Sequence, residues 1–386
     1  MKDTIPIALD GLRLHVAAPR VVAQTADGRC WFPDLLKFST GELMLNYSLN
    51  SDSNSNQGNA QAVQISADGG RTWDYRYDVN GFHNAGGEVR VSLPDGRIVG
   101  CSTFLKPALP GQGRRFLAHR WTYDQGGKRY SVEPWRAVVE GLPRDVESWP
   151  EGSSRTWWSR INWFSDIVRL GDSHWITTLS MRYAGDPLET TEALISEDEG
   201  VHWRYLSTIA GAAAVPDATE GFDEPSLIQL ADGDLMCVSR VGCGEDQKLA
   251  RAYSSDAGKS WSRLDRLSAY SVAPQMCRLK SGVIALSTGR PGIFLWLSTD
   301  TRGKNWQMFD VAAHHNRSVP AENRMESDSA GEMTAYQTTA YTALLEYSDN
   351  RIFLVYDRTP FGWEGVTRES GQRSQIYLLE LTVERT

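Results

Sequence analysis

The sequence predicts an all-β fold, a six-bladed β-propeller, on three observations. Six β-hairpins recur at intervals of roughly 50 to 75 residues. A second motif, S-x-D-x-G-x-x-W, follows several of them, and helical periodicity is scarce throughout. Repetition at that spacing suggests six sheets arranged radially in a single unit over residues 1–386. A two-sheet sandwich is the alternative.

The clearest hairpin is GFDEPSLIQLADGDLMCVSR, residues 221–240. A strand is expected over 225–230, Ala231-Asp232-Gly233 makes the turn, and a second strand returns over 234–239. Antiparallel pairing puts the start of the first strand beside the end of the second, so Glu224 and Arg240 share one end. The same pattern recurs over 31–46, 86–101, 163–179, 272–290 and 340–357. Two long segments read as inserts without domains of their own: 106–162, rich in Trp, Pro and Arg, and 314–339, polar and read as loop. The final strand, 375–383, lacks a partner, as does a strand candidate at 12–18. Pairing the N-terminal strand into the last blade would leave no free edge.

The second motif stands at Ser66–Trp73, Ser196–Trp203 and Ser254–Trp261, and with one added residue at Ser298–Trp306. Its Asp accepts backbone N–H bonds, its Gly takes a backbone region closed to other residues, and its Trp covers the turn. These residues are read as scaffold.

Composition bounds the function. The chain has 386 residues, 41% hydrophobic and 23% charged, which is globular. A net charge of −8 argues against a nucleic-acid partner but permits a local cationic pocket. Five cysteines, none in a CxxC pair, suggest reduced thiols. With neither an apolar leader nor a membrane-length stretch, a cytoplasmic protein is expected, or a secreted one if a leader has been trimmed. The sequence leaves the oligomeric state open. It shows no metal cluster, phosphate loop or nucleophile elbow, so no metal and no cofactor is expected.

Aligning the turns brings Phe32, Gly87, Phe164, Glu224, Ala273 and Tyr341 to one column at the start of the innermost strands. The partner column holds Arg240, Arg290 and Asp357, with Arg182 slightly beyond. Tyr341, Glu224, Arg240 and Arg290 therefore converge on one concave mouth, where a small-molecule site is expected.

These motifs resemble the sialidase (neuraminidase) superfamily, whose Asp-boxes match the S-x-D-x-G-x-x-W stretches. Glu224-Pro225 with Arg240, the Tyr341 segment with its late acid Asp357, and Arg290 in TGRPG look like that family's site motifs. The resemblance implies a retaining exo-glycoside hydrolase acting on a terminal acidic sugar, with Tyr341 as nucleophile, Glu224 as its base, and arginines gripping the substrate carboxylate. A neutral phenol suits an anomeric carbon that bears a carboxylate, since an anionic nucleophile would be repelled. It implies an acid/base aspartate on the loop after the first hairpin, where Asp52 is the only acid. The chain departs from the family at Trp31, which stands where sialidases carry their first arginine and is expected to meet the substrate in its place.

Several residues carry a second reading. Glu88 and Asp166 can reach the mouth or pair with an arginine such as Arg182. His83 can serve as an acid/base or as a plain loop residue. Trp149, Trp157, Trp158 and Trp163 can wall a sugar site or pack the core. Two other functions fit the pattern. One is a uronate-directed polysaccharide lyase, in which His83 would matter and Asp52 would not; the other is a non-catalytic propeller that binds a glycan or a protein.

Overall fold

A computed structural model describes residues 4–25, 28–50, 60–80, 89–103, 105–109, 113–124, 129–148, 160–163, 166–211, 213–244, 246–270, 272–325, 337–360 and 373–386. The described chain is almost entirely antiparallel β-sheet. Three sheets have four strands each and follow chain order: Trp31–Lys37 to Asp74–Asn80, Asp223–Gln229 to Asp265–Tyr270, and Val272–Arg278 to Gln307–Asp310. A ten-stranded sheet contains two further meanders. One runs Val89–Ser92, Ile98–Cys101, Phe116–Asp124 and Arg129–Glu140; the other is built on Trp175–Met181, Thr190–Ser196 and His202–Ala210. A parallel pairing of residues 138–140 with 202–204 joins them.

The last sheet combines the two ends of the chain. Thr342–Ser348, Arg351–Arg358 and Gln375–Arg385 form a meander, and Leu12–Val16 pairs with the outer part of Gln375–Arg385. Ile5–Leu9 then adds outside Leu12–Val16, and Arg20–Ala23 pairs with the other end of the C-terminal strand.

The inner hairpins share one turn. Leu230 N–H donates to Asp234 O and Gly233 N–H to Leu230 O, with Gly233 at φ 93°. The same two bonds recur around Gly41, Gly96 and Gly282, all at φ between 82° and 92°. A glycine takes that left-handed conformation without the Cβ clash other residues suffer. In the last sheet Asn350 holds the position at φ 60°.

The S-x-D-x-G-x-x-W stretches link third to fourth strands. In the first, Gly70 N–H donates to Ser66 Oγ, Arg71 and Thr72 N–H donate to Asp68 Oδ1, and Trp73 Nε1 donates to Gly70 O. Ser196–Trp203 repeats the serine, aspartate and tryptophan bonds. In Ser254–Trp261 the indole instead reaches Ser207 Oγ of the preceding sheet.

Alternating apolar residues on facing sheets build the core, such as Leu35 and Leu45 against Val355 and Leu378. Leu36, Met44 and Ile65 pack against Ile98 and Trp121 on the opposite side of the same sheet.

Two expectations are corrected. The segment 106–162 supplies the outer strands Phe116–Asp124 and Arg129–Glu140, so it is part of a sheet rather than an insert. Its strands escaped notice because no S-x-D-x-G-x-x-W turn marks their junction. The segment 314–339 begins inside a helix, Val311–Ser318, capped by Asp310 Oδ1 accepting Ala313 N–H at 2.8 Å. Buried His315 fixes that helix through Tyr356 Oη and Asn323 O, both at 2.9 Å.

Candidate active site

The site begins with a repeated irregularity. Phe32, Glu224 and Ala273 each precede a proline and each have positive φ, 52°, 45° and 44°. In all three strands the register shifts there, between Trp31/Asp34, Asp223/Ser226 and Val272/Gln275. These are β-bulges, which re-aim one side chain and leave its N–H without a ladder partner. A non-glycine residue held in that region costs about 1–3 kcal/mol. Each freed N–H meets a carboxylate oxygen: Phe32 bonds Asp357 at 3.0 Å, Glu224 bonds Asp223 at 2.7 Å, and Ala273 bonds Glu224 at 2.7 Å. Acid side chains thus fix the backbone at the start of three inner strands.

Glu224 lies at the centre of the resulting cluster. Its Oε2 takes Ala273 N–H, and its Oε1 accepts the hydroxyl of Tyr341 and, at 3.0 Å, Arg240 Nη1. Arg240 also meets Glu220 Oε2 at 2.6 Å and Cys243 Sγ at 2.7 Å through Nη2. Arg290 stands over the Tyr341 ring at 5.8 Å and donates to Thr339 O at 2.9 Å. Phe32 closes the other side of the phenol edge-on, 5.2 Å between centroids.

The electrostatics oppose each other within one hydrogen bond. Burial alone would raise the Glu224 carboxyl; Arg240, the Tyr341 hydroxyl, Ala273 N–H and Arg290 override it and hold its pKa below the usual value. Burial, then the Glu224 charge, push Tyr341 well above the usual tyrosine value, against the pull of Arg240 and Arg290. At rest the proton sits on the phenol and the charge on the carboxylate. The pair is a hydrogen-bonded acid and base with a cation behind the base.

The other sequence-derived candidates divide. Arg240 and Arg290 are where the columns put them, each 8% exposed. Asp357 is a correction: fully buried, it accepts bonds from Phe32 N, Thr338 Oγ1, Thr339 N and Thr339 Oγ1, so it positions strands instead of meeting a ligand. Arg182 is half-buried and already paired: it meets Glu189 at 3.1 Å and lies beside Glu147, both shared with Arg160. Trp31 is a second correction: at 1% exposure it offers no surface to a ligand. Trp163 belongs to the core, donating to Thr177 Oγ1 and packing edge-on against Trp203. Asp166 is exposed to solvent, with Arg90 and Asp34 close enough to act on its charge. Asp52, His83 and Glu88 lie outside the described residues, as do Trp149, Trp157 and Trp158.

Sequence reasoning missed Glu220, Cys243 and Thr339, which contact the arginines from loops outside the strand columns. The bulges had a signal: the dipeptides Phe32-Pro33, Glu224-Pro225 and Ala273-Pro274 fall at the same place in three hairpins. Among the described residues no group of His, Cys, Asp and Glu could hold a metal ion. No described helix is long and apolar enough to cross a membrane.

No family model matches the chain. No curated protein matches it either. Solved structures do. A Dyadobacter fermentans protein of unknown function is 17% identical with a TM-score of 0.68, covering 97% of this chain and 100% of that one. The Penicillium chrysogenum α-L-arabinanase, solved with arabinobiose, is 14% identical with a TM-score of 0.62, covering 94% and 98%. The Hadza microbial sialidase Hz136 is 13% identical with a TM-score of 0.60, covering 94% and 68%. At these identities the likeness shows a shared fold, that of sialidase-like and arabinanase-like β-propellers.

Proposed function

We propose that this chain is a retaining exo-glycoside hydrolase of sialidase type on a six-bladed propeller, with Tyr341 as nucleophile and Glu224 as its base. The observation that carries the reading is the hydrogen bond from Tyr341 to Glu224, backed by Arg240 on the same carboxylate oxygen. The glycosidase neighbours support the class.

In the first half-reaction Glu224 takes the phenolic proton while Tyr341 Oη attacks the anomeric carbon, and the glycosidic bond breaks. A general acid, for which Asp52 is the proposed residue, protonates the leaving oxygen. Water then attacks the tyrosyl glycoside, giving its proton to that same residue, and Tyr341 recovers its own from Glu224. The pKa order of the resting pair makes proton transfer uphill, at about 1.4 kcal/mol per unit. Transfer therefore accompanies the growth of positive charge on the sugar, which the nascent phenolate neutralises. Arg240 and Arg290 stabilise that phenolate and would grip an acidic substituent.

A second reading, for a neutral terminal sugar, is favoured by two specific observations. Arg240 already meets two carboxylates, Glu220 and Glu224, and the buried Trp31 replaces the first arginine of the sialidase pattern. Paired aryl substrates test the choice: an α-sialoside against an α-L-arabinofuranoside, each with wild type and Tyr341→Phe. Hydrolysis of either, lost in the variant, supports the mechanism and names the class. An unsaturated uronate product from polyuronate would instead identify a lyase.

A further inference from the structure

Away from the Tyr341–Glu224 pair, a second buried tyrosine–glutamate pair opens into a cleft of about 530 Å³. Tyr183 Oη donates to Glu192 Oε1 at 2.8 Å, and both residues are 1% exposed. The other oxygen, Glu192 Oε2, is buried and accepts no hydrogen bond. The Thr208 hydroxyl, across the strand pair, is near enough to favour the carboxylate charge, but no donor stands in hydrogen-bond geometry to Oε2. Leaving a buried acceptor unpaired costs about 1–3 kcal/mol, and more when the group is charged. Burial pushes the Glu192 pKa up to about 7, against the hydroxyls of Tyr183 and Thr208 and the Arg144 charge.

The walls of the cleft define what can answer that oxygen. Pro143, Pro187, Ala213 and Ala214 present apolar surface, and Thr190 and Thr208 add hydroxyls. Arg144 lies over the Tyr183 ring at 4.3 Å and is held there by Asp186 through two bonds, 2.8 and 2.6 Å. A cationic ligand would enter beside a guanidinium already fixed in place, and an anionic one would face Glu192. A neutral ring with hydroxyls on its edge and C–H groups on its face meets neither penalty. It also supplies the missing donor.

We propose that this cleft is a second carbohydrate site, binding a neutral sugar through a hydroxyl that donates to Glu192 Oε2. The loop carrying Asp186, Pro187 and Thr190 continues into the strand next to the catalytic hairpin. Glu189 exchanges backbone bonds with Glu220 and Phe222, two residues before Glu224. The cleft therefore opens on the same end of the sheets as the Tyr341–Glu224 pair, outward along the rim.

Methyl NMR of the full chain with labelled alanine tests this without using hydrolysis, so its failure is distinct from failure of the proposed activity. Arabinobiose, xylobiose, lactose and cellobiose are titrated while the Ala213 and Ala214 methyls are followed, with ethylammonium as the cationic control. At least one sugar is expected to shift both methyls saturably. Glu192→Leu is expected to weaken that affinity at least tenfold, and Ala214→Trp, at an exposed position, to abolish the Ala213 response without disturbing the fold. The proposal is overturned if none of the four sugars gives a saturable shift, if ethylammonium binds more tightly than all of them, or if Ala214→Trp leaves the affinity unchanged.

Discussion

Glu224 Oε2 holds the backbone N–H of Ala273 at 2.7 Å, across the seam between two sheets. The carboxylate that would deprotonate Tyr341 is therefore also a strut between the hairpins that carry Arg240 and Arg290. Chemistry and scaffold meet in one side chain, and the variants below separate them.

Glu224→Gln keeps the shape and an acceptor for Ala273 N–H but removes the base. Hydrolysis, measured as kcat on an aryl glycoside, is expected to fall about 10²–10⁴-fold. Loss of the charge leaves Arg240 with Glu220 as its one carboxylate partner, so the midpoint of thermal unfolding should fall as well.

Asp357→Ala is expected to be mainly a stability variant. Four donors lose their acceptor in a fully buried place, Phe32 N–H among them. A loss of several kcal/mol in denaturant unfolding is expected, at about 1–3 kcal/mol for each buried donor left unsatisfied. Asp357→Asn, which retains one acceptor oxygen, should cost clearly less.

Gly100→Ala probes packing without backbone strain. A Cβ there would stand 2.0 Å from Trp121 Cζ2, because the indole lies flat on the glycine. Trp121 is 1% exposed and locked against Tyr123 at 4.8 Å. Overpacking of this kind costs about 1–3 kcal/mol, read as a lower urea midpoint with unchanged m-value.

Glu192 gives stability a pH dependence of defined sign. Burial raises its folded-state pKa to about 7, above the value near 4.5 of the unfolded chain. Protons bind the folded state more tightly, so the contribution is fully present below about 4.5 and is lost as pH rises through about 7. Glu192→Gln removes that dependence. The variant should gain on wild type by about 3 kcal/mol between pH 4.5 and 8, on the linkage scale of about 1.4 kcal/mol per unit. Parallel stability curves for the two proteins across that range would contradict the assignment.

The legible parts of the fold were those with local chemistry. Gly41, Gly96, Gly233 and Gly282 advertise their turns because the left-handed backbone there selects glycine. Serine, aspartate and tryptophan advertise the outer turns because each satisfies a named backbone group. Phe116–Asp124 and Arg129–Glu140 stayed hidden because their junction carries no such signature, and the Val311–Ser318 helix because it is only two turns long.

The site was legible in part for the same reason. Counting back from the turns reached Glu224 and Tyr341, although the bulges add a residue to three inner strands and the last sheet has none there. In that sheet the left-handed residue is Ala340, one place before Tyr341. Strand columns could not find Glu220 or Cys243, whose loop positions obey no period. Nor could they tell that Asp357 is consumed by buried backbone and hydroxyl donors, because that depends in part on the N–H of Phe32, 325 residues away.

The most direct test of the central claim is mass spectrometry of the enzyme quenched during turnover of a slow, fluorinated glycoside with an activated leaving group. A glycosyl adduct is expected on the peptide carrying Tyr341, and none in Tyr341→Phe. An adduct on a carboxylate, or turnover that survives Tyr341→Phe unchanged, would contradict it.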